Sequence, residues 1–191
     1  MHRAHSLTAA SFAALAALCA ASPASALGLE WGVRGGTGTA MWTDSSIEPE
    51  VSPFTVGPAV RLGLGVISLE ADALWHRAEW AGPTGVHTTV DRVALPVLAK
   101  LDFPMVPGVV SLGFGAGIEP RWLVGAEAAG QDVGGSFADQ TLFLPVAAGV
   151  DLDLQVATAN LEIRYAHQLE PEGAVGQARK HELMLMMGLF F

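Results

Sequence analysis

The chain has 191 residues, of which 51% are hydrophobic and only 15% charged, with 19 acids against 10 bases and a formal net charge of −9. The acid surplus excludes a nucleic-acid binder, which needs a basic face to neutralise phosphates, while water-soluble domains carry charge on about a quarter of their residues. Beyond the first 30 residues the longest uncharged run, 103–118, holds two prolines and four glycines, and it falls short of the roughly 20 apolar residues of a membrane-spanning helix.

Arg3, between His2 and His5, precedes an apolar stretch over 12–21 and then Ala24-Ser25-Ala26, the small-x-small pattern cut by signal peptidase. The sequence therefore predicts a cleaved export signal over 1–26 and one mature domain over 27–191. The leader removes one Arg and no acid, so the mature charge is −9 − 1 = −10. Cys19, the single cysteine, leaves with it, and Leu18 before it does not suit a lipid-modified cysteine. A mature chain without thiols has no disulfide, no cysteine–metal site and no thiol nucleophile.

From Leu27 onward apolar residues recur at every second position, the period of a strand. The first run sets Leu27, Leu29, Trp31 and Val33 against Gly28, Glu30, Gly32 and Arg34. The second sets Phe54, Val56, Val60 and Leu62 against Thr55, Gly57, Ala59 and Arg61. In the third, Ile67, Leu69 and Trp75 oppose Ser68, Glu70, Asp72 and His76; in the fourth, Val93, Val97 and Leu101 oppose Arg92, Pro96 and Lys100. The fifth run sets Leu112, Phe114, Ile118 and Trp122 against Gly113, Gly115, Gly117, Glu119 and Arg121. Leu144, Val146, Val150 and Leu152 then alternate with Pro145, Ala147, Asp151 and Asp153. Leu161, Ile163 and Tyr165 face away from Glu162 and Arg164, and Leu183, Leu185, Leu189 and Phe191 away from Glu182, Met186 and Gly188.

One face of every run is apolar, and each charge falls on the other. A soluble, lipocalin-like binding barrel turns its apolar face inward, which here would leave the glycines outside. Small residues such as Gly113, Gly115 and Gly117 suit a crowded concave interior instead. Apolar outside and polar inside is the transmembrane β-barrel pattern, and lipid forces the sheet to close because an open edge would leave backbone groups unpaired. The sequence thus predicts an all-β chain: an eight-stranded antiparallel up-and-down transmembrane barrel.

Connections at 64–65, 104–108 and 156–158 are short, whereas those at 36–53, 78–88, 123–140 and 169–180 are long. Short periplasmic turns opposite long extracellular loops are what outer-membrane barrels show. Trp75, Trp122 and Tyr165 then end upward strands at the outer interface, and Phe103 and Phe191 end downward strands at the periplasmic rim. Pro96 and Pro145 fall inside runs and predict bulges.

With the runs in place, the chain resembles the bacterial outer-membrane β-barrel domain family of small eight-stranded barrels. The resemblance is carried by Gly32-Val33-Arg34-Gly35-Gly36, Leu95-Pro96-Val97-Leu98-Ala99-Lys100, Gly113-Phe114-Gly115-Ala116-Gly117, Glu162-Ile163-Arg164-Tyr165 and terminal Phe191. It implies a location in a Gram-negative outer membrane among lipid and lipopolysaccharide. It also implies recognition by the barrel assembly machinery through Phe191, with the signal's usual glycine displaced to Gly188.

The interior set is Glu30, Arg34, Arg61, Glu70, Asp72, Arg92, Lys100, Glu119, Arg121, Asp151, Asp153, Glu162, Arg164 and Glu182. Eight strands enclose only enough room for side chains, so mixed charges predict a salt-bridged plug rather than an ion path. Arg164-Tyr165-Ala166-His167 is similar to the stretch of outer-membrane lipid A deacylases that carries their catalytic His. Those enzymes place a nucleophilic Ser two residues further on, where this chain has Leu169, so no acyl acceptor is predicted. His76 and His181 read as isolated, without metal-ligand spacing, and Gly134-Gly135 sits in a loop and makes no phosphate cradle. No enzyme activity and no cofactor are expected. The loop acids Asp44, Glu48, Glu50, Glu127, Asp132 and Asp139 suggest a cation bridge to lipopolysaccharide phosphates.

Overall fold

The computed structural model describes residues 28–43, 49–81, 86–171 and 179–191. The predicted leader, with Cys19, Ala24 and Ala26, and the predicted loop acids Asp44 and Glu48 lie outside the described residues. The described residues form antiparallel strands plus one 3-10 turn, Gly134–Ser136. The segments are β1 (Leu29–Trp42), β2 (Glu50–Leu64), β3 (Ile67–Asp72), β4 (Leu74–Ala81), β5 (His87–Ala94) and β6 (Val97–Val106). They continue with β7 (Val110–Ala128), β8 (Gln131–Asp132), β9 (Gln140–Asp153), β10 (Thr158–Gln168) and β11 (Lys180–Phe190).

The ladders form a ring. β1 pairs with β2, β2 with β3 and β4, these with β6 and β5, and both of those with β7; β9, β10 and β11 follow, and β11 pairs back onto β1. At the seam Trp31 and Phe191 exchange backbone hydrogen bonds of 3.1 and 2.8 Å. The sheet is a closed barrel with no free edge between its first and last strands.

Eleven segments stand where eight unbroken runs are expected. Two of the extra segments come from prolines. Pro58 faces Ala73, accepting its N–H at 2.9 Å without one to return, and Pro120 likewise accepts from Leu95 at 2.9 Å; the ladder lapses there. The register does not move: Ala59 faces Asp72 below the first gap and Val56 faces Trp75 above it. Ala94 faces Arg121 and Val97 faces Ile118 on either side of the second. The third extra segment, β8, is a hairpin arm returning from β7 through Ala129 and Gly130, both with positive φ as a type I′ turn requires.

The bulges predicted at Pro96 and Pro145 are therefore absent. Around Pro145, Ala116 faces Val146 and Glu119 faces Phe143 in one continuous register. Register shifts occur instead in β2 between Val51 and Phe54, where β7 passes Asp91 and Arg92, and in β6 between Pro104 and Val106. The first two flip the parity of the strand above them. Below the first bulge Thr55 points inward and Phe54 outward; above it Ser52 and Glu50 point inward and Val51 outward.

One end of the barrel has tight turns. Gly65, with φ +81°, opens the two-residue turn between β2 and β3, and Gly108, with φ +70°, lies between β6 and β7. At the other end the strands run on through much of the predicted long loops: 36–53 shrinks to 43–49, because β1 reaches Trp42 and β2 begins at Glu50. Along the wall burial alternates residue by residue, with Arg34 1% exposed beside Val33 at 57%.

Candidate functional site

Inward-facing charges fill the barrel in two tiers. In the tier nearer the turn end, Arg34 bonds Glu70 in a bidentate pair and reaches Asp72 at 3.1 Å and Asn160 at 3.0 Å. Glu70 also takes Arg61 at 3.2 Å and Lys100 at 2.9 Å, and Lys100 pairs with Glu162. Arg164 closes the group onto Glu162 at 2.8 Å and Asp72 at 3.2 Å, while Arg61 reaches Asp151 at 3.1 Å. These side chains come from six segments around the ring, and pairs such as Arg34–Glu70, Lys100–Glu162 and Arg61–Asp151 tie strands distant in sequence.

The upper tier centres on Arg121, fixed between Glu119 (2.6 Å) and Glu182 (2.6 and 2.8 Å). Nδ1 of His76 lies 2.8 Å from Thr55 Oγ1, and its Nε2 is 3.3 Å from Ser52 and 3.4 Å from Arg121. Arg92 donates to Thr141 at 3.1 Å. At the loop end Lys180 bonds Glu50 at 2.7 Å and lies over the Trp42 ring at 4.5 Å. Two buried phenyl rings lie against guanidinium groups: Phe190 under Arg61 at 4.3 Å, and Phe143 under Arg121 at 4.0 Å.

Of the fourteen interior residues predicted, twelve are buried in these tiers. Glu30 is half-buried at the turn-end mouth, 3.6 Å from Arg61. Asp153 departs from the expectation: it is exposed at the end of β9, and its carboxylate caps the next turn by accepting from the Gln155 N–H at 2.7 Å. With Asp102 and Asp151 these acids line a cup of about 290 Å³ at that mouth. His76 is not isolated either. Its ring nitrogen and the carboxylates of Glu50 and Glu182 lie within 4.8 Å of one another, a spacing that could hold a metal ion, although Lys180 and Arg121 already bring positive charge to both acids. Sequence reading missed Glu50 and Lys180 as interior groups. The bulge in β2 reverses the parity that would have placed Glu50, and Lys180 fell in a predicted loop.

Among the described residues seven basic side chains are buried (Arg34, Arg61, Arg92, Lys100, Arg121, Arg164, Lys180) and seven acidic ones (Glu50, Glu70, Asp72, Glu119, Asp151, Glu162, Glu182). Their formal charges cancel. The chain's −9 then comes from the remaining 12 acids and 3 bases; of these, the 9 acids and 2 bases among the described residues are exposed or half-buried.

The outer wall is apolar over most of its height. Trp75 and Trp122 flank Val93 at one level, and Tyr165 is 38% exposed. The strands do not end at these aromatics as expected but run several residues beyond them. There the outward face turns polar: Arg77 bonds Asp91 at 2.7 and 2.8 Å, with Glu79 and Glu127 beside them. Phe103 packs edge-on against Phe114 at the turn end, where Phe191 also meets Trp31. His167 faces outward as predicted, but its contact is the ring of His181, 4.6 Å away, so His181 is not isolated. Leu169 stands where a deacylase would carry its serine.

No protein-family model matches the sequence, and no curated protein sequence does. Solved structures do. Neisserial surface protein A is 16% identical, with a TM-score of 0.63 over 86% of this chain and 97% of its own. Ail, the attachment invasion locus protein of Yersinia pestis, is 12% identical with a TM-score of 0.49, covering 85% of this chain and 99% of Ail. The N-terminal β-barrel domain of Pseudomonas aeruginosa OprF is 14% identical with a TM-score of 0.42 over 84% and 97%. Closed, antiparallel, charged within and apolar without, the chain has the fold of the small outer-membrane β-barrels.

Proposed function

We propose that the mature chain, exported behind a leader cut after Ala26, is an integral outer-membrane protein of a Gram-negative bacterium. Its wall consists of eight staves, β3–β4 and β5–β6 each counting as one because their register is continuous across the proline gaps. Its interior is a closed, charge-paired plug, and its role is structural or recognitional, exercised at the loop end rather than by catalysis.

The outward apolar belt carries this reading. On β7 it runs from Leu112 to Trp122, ten residue steps or about 33 Å along the strand. At a tilt of about 40° that is about 25 Å of height, the thickness of the apolar band of such barrels. Phe103 and Phe191 mark its periplasmic edge; Trp75, Trp122 and Tyr165 its outer edge. Lipid and lipopolysaccharide are the neighbours, Phe191 is the contact for the assembly machinery, and the acidic loop end is suited to divalent cations that bridge it to lipopolysaccharide phosphates.

Expression of the full chain in a Gram-negative host tests the reading. The expected result is a heat-modifiable band in the outer-membrane fraction, without conductance steps when the purified protein is added to planar bilayers. A soluble periplasmic protein would overturn the location, steps well above background would overturn the plug, and release of fatty acid from lipid A would overturn the non-catalytic role.

A further inference from the structure

His167 on β10 and His181 on β11 are direct cross-strand partners on the outward face. Their Nδ1 atoms stand 3.4 Å apart, longer than the 2.7–3.2 Å of an ordinary N–H hydrogen bond. The same separation is an edge of a coordination tetrahedron. With metal–nitrogen bonds of about 2.0–2.1 Å and angles near 109°, two ligand nitrogens lie about 3.3–3.4 Å apart. The strand ladders on both sides hold the pair in place: His167 also faces Leu144 of β9, and His181 faces Met41 of β1. Both rings are part-exposed, so an ion can reach them without opening the barrel. The Tyr165 hydroxyl, 2.5 Å from Nδ1 of His181, occupies that nitrogen in the metal-free state.

We propose that His167 and His181 form a two-nitrogen site for a divalent transition-metal ion on the outer wall, just above the aromatic edge of the apolar belt. Imidazole suits Zn2+ and Cu2+, and the remaining coordination positions open outward to water or to oxygen donors of the surrounding layer. Binding displaces the Tyr165 hydroxyl from His181 and forms no covalent product.

The test uses the full mature chain without an affinity tag, refolded in detergent micelles and checked by its heat-modifiable band. Cu2+ is followed by electron paramagnetic resonance and Zn2+ by titration calorimetry. One bound Cu2+ with two nitrogen ligands is expected. H167A and H181A should each weaken binding at least tenfold, H167Q and H181Q should do the same, and H87A should leave it unchanged. Unaltered affinity in both single variants would overturn the site. So would loss of binding in H76A, which would move the ion to the interior cluster of Glu50, His76 and Glu182.

Discussion

Glu70 shows how the interior is held. It is 1% exposed and lies within ion-pair distance of Arg34, Arg61, Lys100 and Arg164. Moving such groups out of water is costly, and mutual attraction offsets the cost only while every partner is present. Glu70→Ala should therefore lower the unfolding free energy by about 3–5 kcal/mol, the usual penalty for orphaning buried partners, read from urea midpoints in micelles. Glycine makes a different contribution. A methyl group at Gly57 would collide with the carbonyl of Ala73, and one at Gly117 with that of Val97. Backbone cannot yield as a side-chain tip can, so Gly117→Ala should abolish the heat-modifiable band, while Gly125→Ala, with open space around it, should preserve it. The interior charges on Arg34 or Glu162 were legible because each alternates with an apolar neighbour. Lys180 and Glu50 were not, since both fell in predicted loops, Glu50 above a bulge at Pro53 that reverses the inward parity of β2.

Strands were legible where their two faces differ in chemistry. Val33 beside Arg34, or Ile163 beside Glu162, marks an exposed apolar face on one side and packed charge on the other. Higher up the contrast fades: Thr37, Gly38 and Thr39 in β1 carry no such signal, and the strand continues through them because Thr37 and Thr39 bond the Ser52 and Glu50 carbonyls at 2.9 and 3.0 Å. Prolines were misread for a related reason. A missing N–H predicts a lapse in one ladder but does not by itself shift the register: at Pro96 and Pro145 only the lapse occurs, whereas register shifts lie at Pro53 and beside Pro104. The height of the belt can be measured by substitution. Ile163, 56% exposed between Ala148 and Leu185, lies within it, and Ile163→Arg should cost about 2–4 kcal/mol, as for charges placed at mid-membrane. Met41, 60% exposed opposite His181, lies near the outer limit, where Met41→Arg should cost about 0–1 kcal/mol. Equal penalties in lipid-vesicle unfolding titrations would show the belt to be misplaced.

At the scale of the molecule, charge is sorted by location. Among the described residues the buried charges cancel and the acidic surplus is exposed or half-buried, so salt should act on the two differently. Raising the ionic strength screens exposed charges and leaves buried pairs nearly untouched. Unfolding midpoints should therefore move little between about 0.01 and 1 M salt, whereas migration in native electrophoresis should slow steadily; a midpoint that collapses with salt would mean that water reaches the interior pairs. The ring's seam has a consequence for assembly. Gly32 pairs with Phe190, 190 − 32 = 158 residues away, and contacts so remote in sequence are slow to form. Until that ladder zips, every partial sheet has two unsatisfied edges and an unpaired share of its inner charges. The seam therefore works as a completeness check, since the barrel becomes compatible with lipid only when its last strand has found its first.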